Sequence, residues 1–116
     1  MAALNYGRHL PAFVLLFLAK GSTYGSAIMN QMKESMPYYF ADSPAIYRTL
    51  SELENAGAVI CTWDTSSSGA AKKCYTITEI GFQKLDEFKN DAEKRKKNLE
   101  FFLSELETLG NRRMEQ

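Results

Sequence analysis

The stretch Asp42-Ser43-Pro44-Ala45-Ile46-Tyr47-Arg48-Thr49-Leu50-Ser51-Glu52-Leu53-Glu54-Asn55-Ala56-Gly57 is the best-marked segment of the chain. Asp42 or Ser43 can accept hydrogen bonds from the first free amides of a helix, and Pro44 suits its first position. Gly57 stands where a left-handed residue is wanted after its end. These signals predict a helix over 44–56. Ile46, Leu50 and Leu53 recur at i, i+4 and i+7 and form one stripe to be buried. Pro44, Tyr47, Arg48, Ser51 and Asn55 fall on the other side of the wheel and are offered outward.

Upstream, the run from Leu4 to Lys20 is apolar enough for a buried helix, with Pro11 tolerable only near its first turn, and Gly21 stops it. Ser22 and Thr23 are competent N-caps, and Ile28, Met29 and Met32 recur at helical spacing. A second helix is predicted from about Tyr24 to about Met36, ended by Pro37. With the third it makes a helix-turn-helix. Downstream, Ala58 to Thr65 and Ala70 to Ile77 read as strands around a Ser66–Gly69 loop, a hairpin centred on Ser67 and Ser68 that forms a wing.

From Thr78 the helical period returns. Leu85, Phe88, Ala92, Leu99, Phe102, Leu106 and Leu109 step by threes and fours along a heptad seam that Arg95 interrupts. Such a helix runs about 30 residues, or roughly 45 Å. Its apolar stripe outruns what the preceding residues can cover, so a second copy of the chain is the natural cover. The expected fold is therefore α+β, mostly α: a winged helix-turn-helix with a two-stranded β wing and a long C-terminal dimerisation helix. Residues 1–78 form the winged unit and 79–116 the dimerisation helix, within one compact domain overall.

A chain of 116 residues leaves no room for a second independent core. Two cysteines are too few for a disulfide framework and point to a reducing, cytoplasmic setting. The apolar run Ala12 to Ala19 follows Arg8 and His9 like a secretory signal, but its eight residues cannot span a bilayer, which takes roughly 20. Fourteen Lys and Arg balance fourteen Asp and Glu, so there is no global pull toward phosphate. By segment only the wing leans basic, with Lys72 and Lys73 against Asp64.

Catalysis finds no support. His9 is the only histidine, with no Ser, Cys or carboxylate at a spacing that would make it a base, and no glycine-rich loop cradles phosphate. No cofactor is implied, and two thiols with one distant imidazole are too few for zinc. A hairpin centred on Ser67 and Ser68 places Cys61 directly opposite Cys74, which leaves open a redox pair alongside two plain structural thiols. The outward face of the third helix suits a DNA groove. Arg48 can donate to guanine edges or phosphate, Ser51 and Asn55 can donate or accept, and Tyr47 can reach a phosphate oxygen. Lys72 and Lys73 would meet the flanking backbone.

At these residues the sequence resembles the PadR family of bacterial transcriptional regulators, in particular its short members with one long C-terminal helix. The resemblance is carried by Leu15, Leu16, Leu18 and Gly21, by Tyr24-Gly25, and by Ser43-Pro44-Ala45-Ile46-Tyr47 continuing to Leu50, Leu53, Glu54 and Gly57. Trp63 and the segment Lys72 to Glu79 with Gly81 complete it. It implies repression of transcription by a homodimer on a double-stranded operator, relieved by a small aromatic or amphiphilic compound. It also implies a DNA-contacting set of Tyr24, Ser43, Tyr47, Arg48, Ser51, Lys72 and Lys73, and dimerisation through Leu85, Phe88, Leu99, Phe102, Leu106 and Leu109.

Two departures bear on that set. Ser26 stands where the family pattern carries a tyrosine, so a phosphate contact there is weaker or passes to Tyr24, and Cys74 stands where a tyrosine often precedes Tyr75. The C-terminal helix also lacks the tryptophan with which some short members stack flat drugs, leaving Phe88, Phe101 and Phe102 as packing residues. A protein-interaction module without DNA binding, and a redox sensor using Cys61 and Cys74, stand as alternatives.

Overall fold

The computed structural model describes residues 6–39, 41–66 and 69–115. Helix α1 spans Tyr6–Ala19 and helix α2 Gly25–Ser35, with the two-residue strand β1, Thr23–Tyr24, between them. Helix α3 spans Ser43–Asn55, strands β2 and β3 span Val59–Asp64 and Lys72–Ile77, and helix α4 spans Glu79–Glu115. The chain divides into two compact units with the boundary between Leu85 and Asp86.

Helix α3 forms for the reasons its sequence gives. The Asp42 carboxylate accepts from the Ala45 amide at 2.9 Å, which makes Asp42 the cap and Ser43 the first helical residue. Gly57 has φ 77°, a left-handed turn that costs a side-chain-bearing residue but not glycine. Ile46, Leu50 and Leu53 are buried as the stripe predicts, and Thr49 joins them. They share one core with the buried residues Val14, Leu15 and Leu18 of α1, Ile28 and Met32 of α2, and Val59 and Tyr75 of the sheet, α3 itself lying against α1, α2 and β2. Each fully buried aliphatic side chain contributes about 1.5–3 kcal/mol, and this shared core fixes α3 against α1 and α2.

The structure departs from the sequence reading in four places. Thr23 does not cap α2, because Thr23 and Tyr24 pair with Tyr75 and Cys74 as an edge strand, the setting a β-branched and an aromatic residue prefer. Ser22 instead shares a 2.8 Å hydrogen bond with Thr76 across that edge. The wing is consequently part of a three-stranded antiparallel sheet of order β1-β3-β2, rather than a bare hairpin. Pro11 lies inside α1, past its first turn; it forfeits one helical hydrogen bond, and the flanking buried residues Leu10, Val14 and Leu15 hold the helix. Helix α4 is 37 residues long, against the 30 or so expected.

The predicted start of α1 at Leu4 and the hairpin centre at Ser67 and Ser68 lie outside the described residues. In the unit beyond Leu85, Leu99, Phe102, Leu106 and Leu109 are exposed in the single chain, together with Phe101, Leu103 and Met114. Arg95, at the break in the seam, pairs with Asp91 one turn back at 2.6 Å. Among the described residues no helix is long and apolar enough to cross a membrane.

Candidate nucleic-acid interface

Tyr47 is placed by a glycine. A Cβ on Gly25 would stand 2.5 Å from the Tyr47 ring, so the bare backbone at the start of α2 is what lets the ring lie there. The residue before it, Tyr24, is extended with φ −90° and ψ 158°, and its side chain makes no capping bond to α2. Its hydroxyl is turned to the wing and donates to the Asp64 carboxylate.

Tyr24, Gly25, Ser26, Tyr47, Trp63, Lys72, Lys73 and Tyr75 line an open cleft of about 330 Å³ between the helix-turn-helix and the sheet. Of the candidate set, Tyr24, Tyr47, Lys72 and Lys73 therefore converge. Ser43, Arg48 and Ser51 are exposed on α3 but do not line the cleft. Sequence reading missed Trp63 and Tyr75 as cleft walls, and with them the two carboxylates that organise the wing. The signal available was strand alternation, which puts Lys73 and Tyr75 on one face of β3 and Lys72 on the other; the register then sets Trp63 beside Lys73 and Asp64 beside Lys72.

Each face of the wing is built around one of those carboxylates. On one, Asp64 accepts from the Ser66 hydroxyl at 2.6 Å and the Ser66 amide at 2.9 Å, as well as from Tyr24. The Ser66 hydroxyl does most to hold the Asp64 carboxyl down, at about 2, with Tyr24 next. The same bond raises the Tyr24 phenol. Lys72 lies 5.5 Å from the Tyr24 ring centre.

On the other face, Glu54 Oε2 accepts from Cys61 Sγ at 2.9 Å and Oε1 from Lys73 Nζ at 3.3 Å. The Cys61 and Lys73 donors lower the Glu54 carboxyl, and the bond to Glu54 raises both the Cys61 thiol and the Lys73 ammonium. Lys73 also sits over the rings of Trp63 and Tyr75, 5.9 and 5.6 Å from their centres.

The register overturns the facing cysteine pair. Cys61 opposes Tyr75 and Cys74 opposes Thr62, one residue out of step, so the thiols point from opposite faces of the sheet. A disulfide needs converging Cβ vectors, and both cysteines are free. With its proton held on Glu54 and its pKa raised, Cys61 is a poor nucleophile. Among the described residues no group of three or more His, Cys, Asp or Glu could hold a metal.

Two helices in a helix-turn-helix, the second presenting an exposed arginine and hydroxyls, followed by a β wing carrying two lysines, define a winged helix-turn-helix protein. The pattern of the Transcriptional regulator PadR-like family matches residues 14–87, and the chain belongs to that family of transcriptional regulators, which are not enzymes.

Solved structures agree. A PadR family transcription regulator from Clostridium difficile R20291 shares 25% identity at a TM-score of 0.71, over 82% of this chain and 98% of its own. PadR of Bacillus subtilis, solved in complex with operator DNA, shares 29% identity at a TM-score of 0.65, over 70% of this chain and 46% of its own. A transcriptional regulator from Clostridium thermocellum, at 21% identity and a TM-score of 0.72 over 81% of this chain and 92% of its own, shares the fold. No curated protein matches the sequence.

Proposed function

We propose that the protein is a cytoplasmic homodimeric repressor that binds a pseudo-palindromic double-stranded operator and is released by a small aromatic or amphiphilic ligand. The observation that carries the DNA reading is the convergence of Tyr47 of α3, Tyr24 and the wing lysines on one cleft beside the exposed Arg48 and Ser51. The Bacillus subtilis relative solved with operator DNA supports it. Residues 1–78 bind DNA in this reading, and residues 79–116 dimerise through Leu85, Phe88, Leu99, Phe102, Leu106 and Leu109.

The charge balance shapes the mechanism. With no net charge on the chain, sequence-independent attraction is weak, and affinity rests on a few placed donors doubled by the dimer. Arg48 and Ser51 read base edges, while Tyr24, Ser43, Tyr47 and the wing meet phosphate. Fluorescence anisotropy with a duplex from upstream of the protein's own gene tests this. Tighter binding to that duplex than to a scrambled one at moderate salt is expected, and equal affinity for both would sink it. Arg48→Ala is expected to cost about 1–3 kcal/mol on the specific duplex and much less on the scrambled one.

A further inference from the structure

The two wing lysines are neighbours in sequence and opposites in setting. Lys72 is exposed over the Tyr24 ring, across the strand pair from Asp64 but in no ion pair among the described residues, whereas Lys73 is held by an ion pair to Glu54 and by two aromatic rings. Glu54 lies seven residues after Tyr47, two turns further along the outward side of α3, where a bare carboxylate would repel a phosphate backbone. Both of its oxygens are occupied, one by Cys61 of β2 and the other by Lys73 of β3. A single side chain of the helix thus ties down both strands of the wing, and its negative charge is balanced by Lys73. The pair is about a third exposed on each side, and an ion pair so wet adds little to folding, so its consequence is geometric.

We infer that Glu54 and Lys73 form a clasp that sets the wing against α3, with Lys73 a positioning residue and Lys72 the wing's phosphate donor. The inference rests on the DNA-binding reading above and divides the work of two lysines that the sequence treats alike. Lys73 acts through Glu54: it cancels the carboxylate and fixes β3, and strand pairing then presents Lys72 from the other face.

The test is a salt series on the full-length protein with a non-specific duplex, read by anisotropy. The slope of log affinity against log salt steepens by about 0.9 for each phosphate neutralised. Lys72→Ala is expected to lower the slope by about 2 for a dimer, because each protomer then neutralises one phosphate fewer. Lys73→Met is expected to weaken binding several-fold with the slope little changed. The double variant Glu54→Gln/Lys73→Met is expected to stay several-fold weaker than wild type, because removing the repelling carboxylate does not tie the wing back to α3. A slope that falls as far in Lys73→Met as in Lys72→Ala, or a double variant that binds as tightly as wild type, would overturn the clasp.

A second measurement needs no DNA. Trp63 is the only tryptophan, so its emission reports the ammonium above it. Glu54→Gln is expected to shift that emission, and an unshifted spectrum contradicts the clasp. Wild-type protein that binds no duplex while Glu54→Gln still shifts the emission would instead refute the DNA-binding reading and leave the clasp standing as a structural device.

Discussion

Asp64 takes hydrogen bonds from the Ser66 hydroxyl, the Ser66 amide and the Tyr24 hydroxyl, and its carboxyl titrates at about 2 rather than near 3.8. A group whose pKa is depressed by folding stabilises the native state above its unfolded value and loses that contribution as pH falls through its folded one. The window here is pH 4 down to 2. The melting temperature of wild type is expected to exceed that of Asp64→Asn at pH 5–6, and the gap to close as pH falls through that window; a gap constant from pH 6 to 2 would contradict the assignment. At this scale residue types were legible and their partners were not. Lys72, Lys73, Cys61 and Cys74 all stand out in the sequence, but a shift of one residue in strand register decides which face each occupies, and no local pattern fixes that shift.

At the scale of elements, α3 was nearly complete in the sequence because cap, proline, apolar stripe and terminal glycine agree along one short segment. Two substitutions test its two ends of influence. Leu50→Ala, at a fully buried site, is expected to cost about 2–5 kcal/mol in denaturant unfolding. Gly25→Ala is expected to leave the fold standing and to displace the Tyr47 ring, so DNA affinity falls by more than stability does. Equal losses in both would contradict the placement of Tyr47. Strand β1 was not legible, since two residues carry no alternation and Ser22-Thr23 also reads as a helix cap; only the distant partners Cys74 and Tyr75 make it a strand. The cleft was missed for the same reason, being assembled from α2, α3 and the sheet.

For the whole molecule, the exposed stripe Leu99, Phe102, Leu106 and Leu109 is the argument for a homodimer. Leu99→Asp and Leu106→Asp are each expected to give a monomer by analytical ultracentrifugation at micromolar concentration, where wild type is expected to sediment as a dimer, and to lose high-affinity DNA binding with it. A monomeric wild type would contradict the role assigned to α4. The central claim is that two copies of α3, related by the dimer axis, read two half-sites of one operator. Hydroxyl-radical footprinting of the duplex upstream of the gene tests it most directly. The account predicts two protected stretches on one face of the duplex, centred about one helical turn or roughly 34 Å apart, both lost in Arg48→Ala. One protected stretch, or protection that survives Arg48→Ala unchanged, would contradict it.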